Sequence, residues 1–148
     1  MSIEIRVLGP RDEGVLGRVG AGVFDDPIHW ERAREFLEDP RHHLIVAVEE
    51  GVVVGFVSAV HYVHPDKPRP ELWINEVGVA ATHRGRGAGK AMLRAALDAG
   101  RRVGCEEAWV LTNRSNAAAM RLYAGIGGEE GEPDDVMFTF YLDENEPI

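Results

Sequence analysis

The chain has 148 residues, 45% apolar and 28% charged, with a formal net charge of -9 and a single cysteine, the profile of one soluble domain spanning residues 1–148. Cys105 alone excludes an internal disulfide framework and a cysteine-based zinc site, so a reducing cytoplasm is the expected compartment and no metal is expected. Apolar runs fall well short of the roughly 18 residues a membrane span needs, Glu4 and Arg6 break any signal-like N-terminus, and the acidic balance disfavours nucleic acid as a partner.

In chain order, Ile3 to Leu8 reads as a strand stopped by Gly9-Pro10. Pro10 to Val19 carries a weak helical pattern undermined by Gly14 and Gly17, and implies a mobile helix. A firmer helix follows, with Asp26 as N-cap, Pro27 in the first position, and Trp30, Ala33 and Leu37 on one face before Pro40. Leu44 to Val48 and Val52 to Val63, joined by Glu49-Glu50-Gly51, predict a hairpin. The three prolines in His64 to Pro70 require an extended loop.

Glu71 to Ala80 is the next strand, and a glycine-rich turn leads from it into a helix marked by Leu93, Ala96, Leu97 and Gly100. Glu107 to Thr112 reads as a strand covered on both sides, since its centre carries no charge. Asn113 or Ser115 is placed to cap a helix carrying Ala119, Leu122, Tyr123 and Ile126, and Val136 to Leu142 predicts a closing strand. This order predicts an α/β (α+β) fold: a mixed, mostly antiparallel sheet of six to seven strands with about four helices on both faces.

Charge is unevenly spread. From Arg84 to Arg102 six basic residues stand against Asp98 alone, whereas from Glu129 onward there are eight acidic residues and no basic one. Such a split suits two ligands of opposite sign, an anion at the first region and a cation attracted by the acidic surface. Within the basic region, Gly85, Gly87 and Gly89 alternate through Arg84-Gly85-Arg86-Gly87-Ala88-Gly89-Lys90 at a helix N-terminus. That pattern aims backbone N–H groups at one point, where the helix dipole favours a phosphate. A Walker A loop is excluded because Ala91 follows Gly89-Lys90, and a dinucleotide fingerprint is excluded because Lys90 stands where its third glycine belongs.

The remaining Arg84-x-x-Gly87-x-Gly89 pattern, with Val77-x-Val79 before it and Asn116-x-x-Ala119-x-x-Leu122-Tyr123 after it, resembles the GCN5-related N-acetyltransferase superfamily. The resemblance implies acetyl-coenzyme A bound by Arg84, Gly85, Arg86, Gly87, Ala88, Gly89 and Lys90. Its pantetheine arm would lie along the backbone of Val77 and Val79, with Asn116 either bonding the arm or capping its helix. The stretches Val63-His64-Pro65, Pro70 to Val79 and Val136-Met137-Phe138 resemble the small aminoglycoside 3-N-acetyltransferases, although Asn113-Arg114-Ser115-Asn116 departs from that group's acidic character.

Transfer of an acetyl group to an amine then calls for a base, for which Glu76 is the candidate, and for an acid at the departing thiolate, for which Tyr123 matches the superfamily's tyrosine. Glu76 shares strand parity with the core positions Leu72 and Ile74, so a bulge near Asn75 is required to turn it outward. Equally, Glu76 could only attract the substrate, and Tyr123 could only fill the core. Asp25, Asp26, Glu71, Asp134 and Asp135 are the acidic candidates for holding a cationic small-molecule amine, with His64 and His61 as possible cleft residues. Other readings are acetylation of a protein N-terminus, a lysine or a metabolite amine, or a noncatalytic acyl-coenzyme A sensor. A homodimer is the expected assembly, if one forms.

Overall fold

The computed structural model describes residues 2–143. Its framework is a five-stranded sheet in the order β1-β2-β3-β4-β5, formed by Glu4–Leu8, His42–Glu49, Val52–Tyr62, Glu71–Val79 and Glu107–Val110. The first four strands run antiparallel, and β5 pairs parallel with β4. The class is therefore the α+β arrangement expected, with fewer strands than expected and three α-helices, Trp30–Glu38 (α1), Ala88–Arg102 (α2) and Ala117–Gly125 (α3).

β2 and β3 form the centre of the core because their β-branched runs are covered on both faces: Ile45, Val46, Val53 and Val57 are fully buried. On one face α2 lays down Met92, Leu93 and Ala96. It packs closely because two glycines make room. A Cβ at position 55 would stand 2.8 Å from Met92, and one at position 100 would stand 2.9 Å from Leu72. On the other face Phe36 of α1 stacks on His42 and Phe24 stacks on Phe56.

Several local expectations are corrected. α1 begins at Trp30 and is capped by His29, whose Nδ1 accepts the Arg32 N–H at 3.2 Å, so Asp26 and Pro27 lie ahead of the helix in an exposed bend. The weak pattern before it is a short 3-10 turn, Glu13–Gly17, anchored by buried Leu16. Neither Asn113 nor Ser115 caps α3. Asn116 does, its Oδ1 accepting the Ala119 N–H at 3.1 Å. α3 ends in a Schellman motif, with Gly127 left-handed at φ 95° and the Gly128 N–H bonded to the Tyr123 carbonyl.

β5 is shorter than expected and only partly buried. Val136 to Leu142 forms no strand among the described residues, and its large apolar side chains are 74–84% exposed. Strand propensity is realised only against a partner, and no neighbouring strand meets this segment. The acidic run of the C-terminus includes Glu144 and Glu146, which lie outside the described residues.

Candidate functional site

The site grows from a break in β4. Ser58 pairs with Glu76 and Ala59 with Ile74, so Asn75 is left over as a bulge. The extra residue resets alternation. Leu72, Ile74, Val77 and Val79 face α2, while Glu71, Trp73, Glu76 and Gly78 face the opposite side. Glu76 is thereby turned to an exposed position, as expected from a bulge near Asn75. Opposite it, Ser58 is 8% exposed and its Oγ has no hydrogen-bond partner in the structure.

A second break follows at once. β5 pairs with β4 from Glu71 to Ile74 and then ends, Ile74 lying opposite Val110. From Asn75 to Val79 the β5-side edge of β4 meets no strand among the described residues, which leaves the backbone around Val77 and Val79 open to an extended guest. Tyr123 shares a cleft with Ile74 and Val110, the last paired residues of the two strands before this fork. The cleft is open, measures about 320 Å³ and is lined also by Leu72, Leu93 and Ile126. Burial pushes the Tyr123 phenol above its ordinary value, so it stays protonated at neutral pH and retains a proton to give. Tyr123 and Glu76 thus belong to opposite faces of β4.

Beyond the fork lies the glycine turn. A 3-10 turn, Ala81–His83, leads to Arg84, whose Nε donates to the Val79 carbonyl at 3.4 Å. Gly85 and Gly87 are left-handed at φ 78° and 84°, conformations that a side chain strains. Gly87 is the N-cap of α2 and no side chain caps this helix, so no side chain takes up its first N–H groups. Gly89 has a different reason: a Cβ there would lie 3.2 Å from Leu122, so its smallness serves the packing of α3 on α2. Ala88 is buried, whereas Arg84 and Lys90 are exposed at the rim. Arg86 is engaged by Glu49, whose Oε2 lies 2.7 Å from its guanidinium. Asn116 spends its carbonyl oxygen on the α3 cap, which leaves Nδ2 as its outward donor.

On the Glu76 face the structure assembles a group that sequence reading did not single out. Trp73 and Trp109, paired across β4 and β5, stack with centroids 5.1 Å apart and an 8° tilt. Trp109 Nε1–H donates to the Tyr62 hydroxyl at 2.9 Å, and Tyr62 meets His64 edge-on. His64 in turn bonds Glu71, so these two expected residues are brought together. At the other end, the loop carrying Asp25 and Asp26 crosses this face, since a Cβ at Gly78 would strike the Val23 carbonyl at 2.5 Å. Asp134 and Asp135 lie in a separate exposed turn held by the Asp135 N–H on the Glu132 carbonyl. His61 faces α2 instead and bonds His43 at 2.8 Å. The only signal for the aromatic group was the recurrence of Trp and Tyr at strand positions whose pairing the sequence does not reveal. Among the described residues no cluster of metal-ligating side chains occurs, and no helix is long and apolar enough to cross a membrane.

The profile of the Acetyltransferase (GNAT) family matches residues 15–127, which takes in the fork, the glycine turn and α3. The chain belongs to this family. Among curated relatives, the GNAT chain is 38% identical over 82 residues to an L-2,4-diaminobutyric acid acetyltransferase of Virgibacillus pantothenticus, a match covering 55% of this chain and 50% of the relative. It spans between about a third and a half of the length of the curated relatives it matches. Its fold is shared with the aminoglycoside acetyltransferase meta-AAC0020 from an uncultured soil metagenomic sample, solved with sisomicin (TM-score 0.77, 20% identity, 95% and 97% of the two chains). The fold is likewise that of AAC(6')-Iy, solved with a bisubstrate analogue, CoA-S-monomethyl-acetylneamine (TM-score 0.75, 24% identity, 95% and 99%).

Proposed function

We propose that this GNAT protein transfers an acetyl group from acetyl-coenzyme A to an amine of a polycationic small molecule, with an aminoglycoside as the leading acceptor. The observation that carries the reading is the fork. β4 parts from β5 after Ile74, a protonated tyrosine shares a cleft with the last paired residues, an exposed carboxylate stands on the other face of the strand, and a helix N-terminus without a side-chain cap follows it.

The residues present fit the donor. Exposed Arg84 and Lys90 and the first N–H groups of α2 would hold its diphosphate, with Gly85, Gly87 and Ala88 shaping the bend. The unpaired edge at Val77 and Val79 would receive the pantetheine arm, the Val79 N–H the thioester oxygen, and Asn116 Nδ2 the arm's amides. Bound there, acetyl-coenzyme A supplies an activated acyl thioester.

Glu76 takes the proton of the attacking amine and Tyr123 gives one to the departing sulfur, so a single direct displacement suffices. A covalent route has no support, because Cys105, the single cysteine, is pushed up by burial and by nearby Glu71 and stays a thiol. On the acceptor side, Glu71, Glu76, Asp25 and Asp26 offer negative charge along one sheet face, and Trp73 and Trp109 offer aromatic faces to a cation. Asp134 and Asp135 would contribute long-range attraction. The sequence resemblance favours the 3-N position of an aminoglycoside. The bisubstrate analogue bound by AAC(6')-Iy and the diaminobutyrate relative make the 6'-amine and small diamines the alternatives to test.

Thiol release from acetyl-coenzyme A over a panel of aminoglycosides, diamino acids, lysine peptides and peptide N-termini tests this reading. Release with polycations is expected. Release confined to peptides would move the acceptor class, and coenzyme binding without release under any amine would mark a sensor.

A further inference from the structure

We infer that Glu49, at the end of β2 and remote in sequence from the glycine turn, is a positioning residue that sets the shape of that turn for coenzyme binding. The inference rests on the donor site proposed above. Glu49 reaches Arg86 with both oxygens, Oε2 at 2.7 Å and Oε1 at 3.4 Å, and Oε1 also lies 3.2 Å from His83 Nε2. Thr82 Oγ1 lies 2.8 Å from His83 Nδ1. The tautomer that satisfies both contacts carries its proton on Nε2, donating to Glu49, and accepts from the Thr82 hydroxyl on Nδ1.

The carboxylate therefore ties the β2–β3 hairpin to the 3-10 turn through His83 and to the glycine turn through Arg86. Its side chain is 13% exposed and that of His83 is 18% exposed, so both are largely withdrawn from water, where such bonds are strongest. Arg86 lies between Gly85 and Gly87, the two left-handed glycines. Two glycines in succession around one residue leave the backbone free to sample many conformations, and fixing the intervening side chain removes that freedom. What the clamp preserves is the direction of the N–H groups at the start of α2.

A carboxylate beside a phosphate site is otherwise unfavourable, and this gives the test its sign. If Glu49 were merely a nearby negative charge, Glu49→Ala would tighten coenzyme binding. A positioning residue predicts the reverse, a roughly tenfold rise in the Kd of coenzyme A by calorimetry, carried in the KM for acetyl-coenzyme A rather than in kcat. Glu49→Gln, which keeps an acceptor for Arg86 and His83, should recover part of the loss. Arg86→Ala should also weaken binding, and adding Glu49→Ala to it should cost less than Glu49→Ala costs alone, because the Arg86 contact is already gone and only the His83 bond is left to lose. A Glu49→Ala protein with unchanged or tighter affinity, or losses that add in full in the double variant, would overturn the inference while leaving the acetyltransferase reading intact. A wild-type chain that takes up no coenzyme A would overturn both.

Discussion

The proposed donor half and the proposed acceptor half of this site are built by different means. The donor half is mostly backbone: an unpaired strand edge, two left-handed glycines and an uncapped helix end, contributed by one continuous segment from Val77 to Lys90. The acceptor half is mostly side chain, with Tyr62, His64, Glu71, Trp73, Glu76 and Trp109 delivered by three strands and a loop. Backbone donors suit a ligand part that never varies, whereas side chains can be exchanged without disturbing the fold. The two halves should therefore fail separately when mutated.

The largest effects are expected where the halves meet. Glu76→Gln and Tyr123→Phe should each lower kcat by about 100-fold, the scale of a lost proton-transfer group, while the Kd for coenzyme A stays within about twofold by calorimetry. Tyr123→Phe keeps the ring that packs into the cleft, so its Tm should hold and separate chemistry from packing. Equal turnover in either variant would remove that residue from the reaction and leave it a substrate-binding or core group.

Next in size are changes confined to the donor half. Gly87→Val forces a β-branched residue to φ 84°, at a cost of about 1–3 kcal/mol, and should weaken coenzyme A roughly tenfold or more with no change in acceptor KM extrapolated to saturating donor. Gly89→Val should act differently, through the Tm, because its neighbour is Leu122 and not open space. If both variants shifted affinity and stability alike, the separation between ligand glycine and packing glycine would not hold.

Smaller still is the effect expected on the acceptor half. Trp73→Ala removes one aromatic face and one partner of the Trp109 stack, and should raise the acceptor KM about fivefold while the coenzyme Kd is unchanged. Isothermal titration with coenzyme A and initial rates against the best amine of the panel separate the two. A parallel loss on the donor side would show that the tryptophan pair holds the fork open and does not bind substrate.

This contrast also explains what could be read in advance. The glycine turn and the bulge were legible because each is written in consecutive residues: the alternating glycines, and the conflict of parity that puts Glu76 in register with Leu72 and Ile74 unless Asn75 is skipped. The α1 helix starts three residues later than Asp26-Pro27 suggests, because Val23 and Phe24 are pinned over Gly78 and Phe56 and keep the chain out of helix until His29. Val136 to Leu142 has strand composition and no strand beside it, a fact of neighbours that no local window contains. The Glu49 clamp joins positions 37 residues apart, and the tryptophan stack depends on which strand meets which. That Arg86 is held by Glu49 is invisible in sequence for the same reason.

A pH series sharpens the comparison by removing a confounding effect. His43 and His61 bond each other at 2.8 Å on the α2 face, at the opposite end of the β2–β3 hairpin from Glu49. Burial first, and then the neighbouring ring and His42, depress His43; burial and then Arg41 depress His61, against a smaller opposing pull from Asp39. Below the ordinary histidine value of about 6.5 the unfolded chain takes up protons that the folded pair refuses, so stability must fall as pH drops through that value. The Tm should therefore be lower at pH 5.5 than at pH 7.5, and the slope should be reduced in His43→Gln. Activity lost in step with this Tm change belongs to the fold. Activity lost at pH values where the Tm is still flat has another origin, and Glu76→Gln, which leaves the histidine pair untouched, should keep the same slope of Tm with pH.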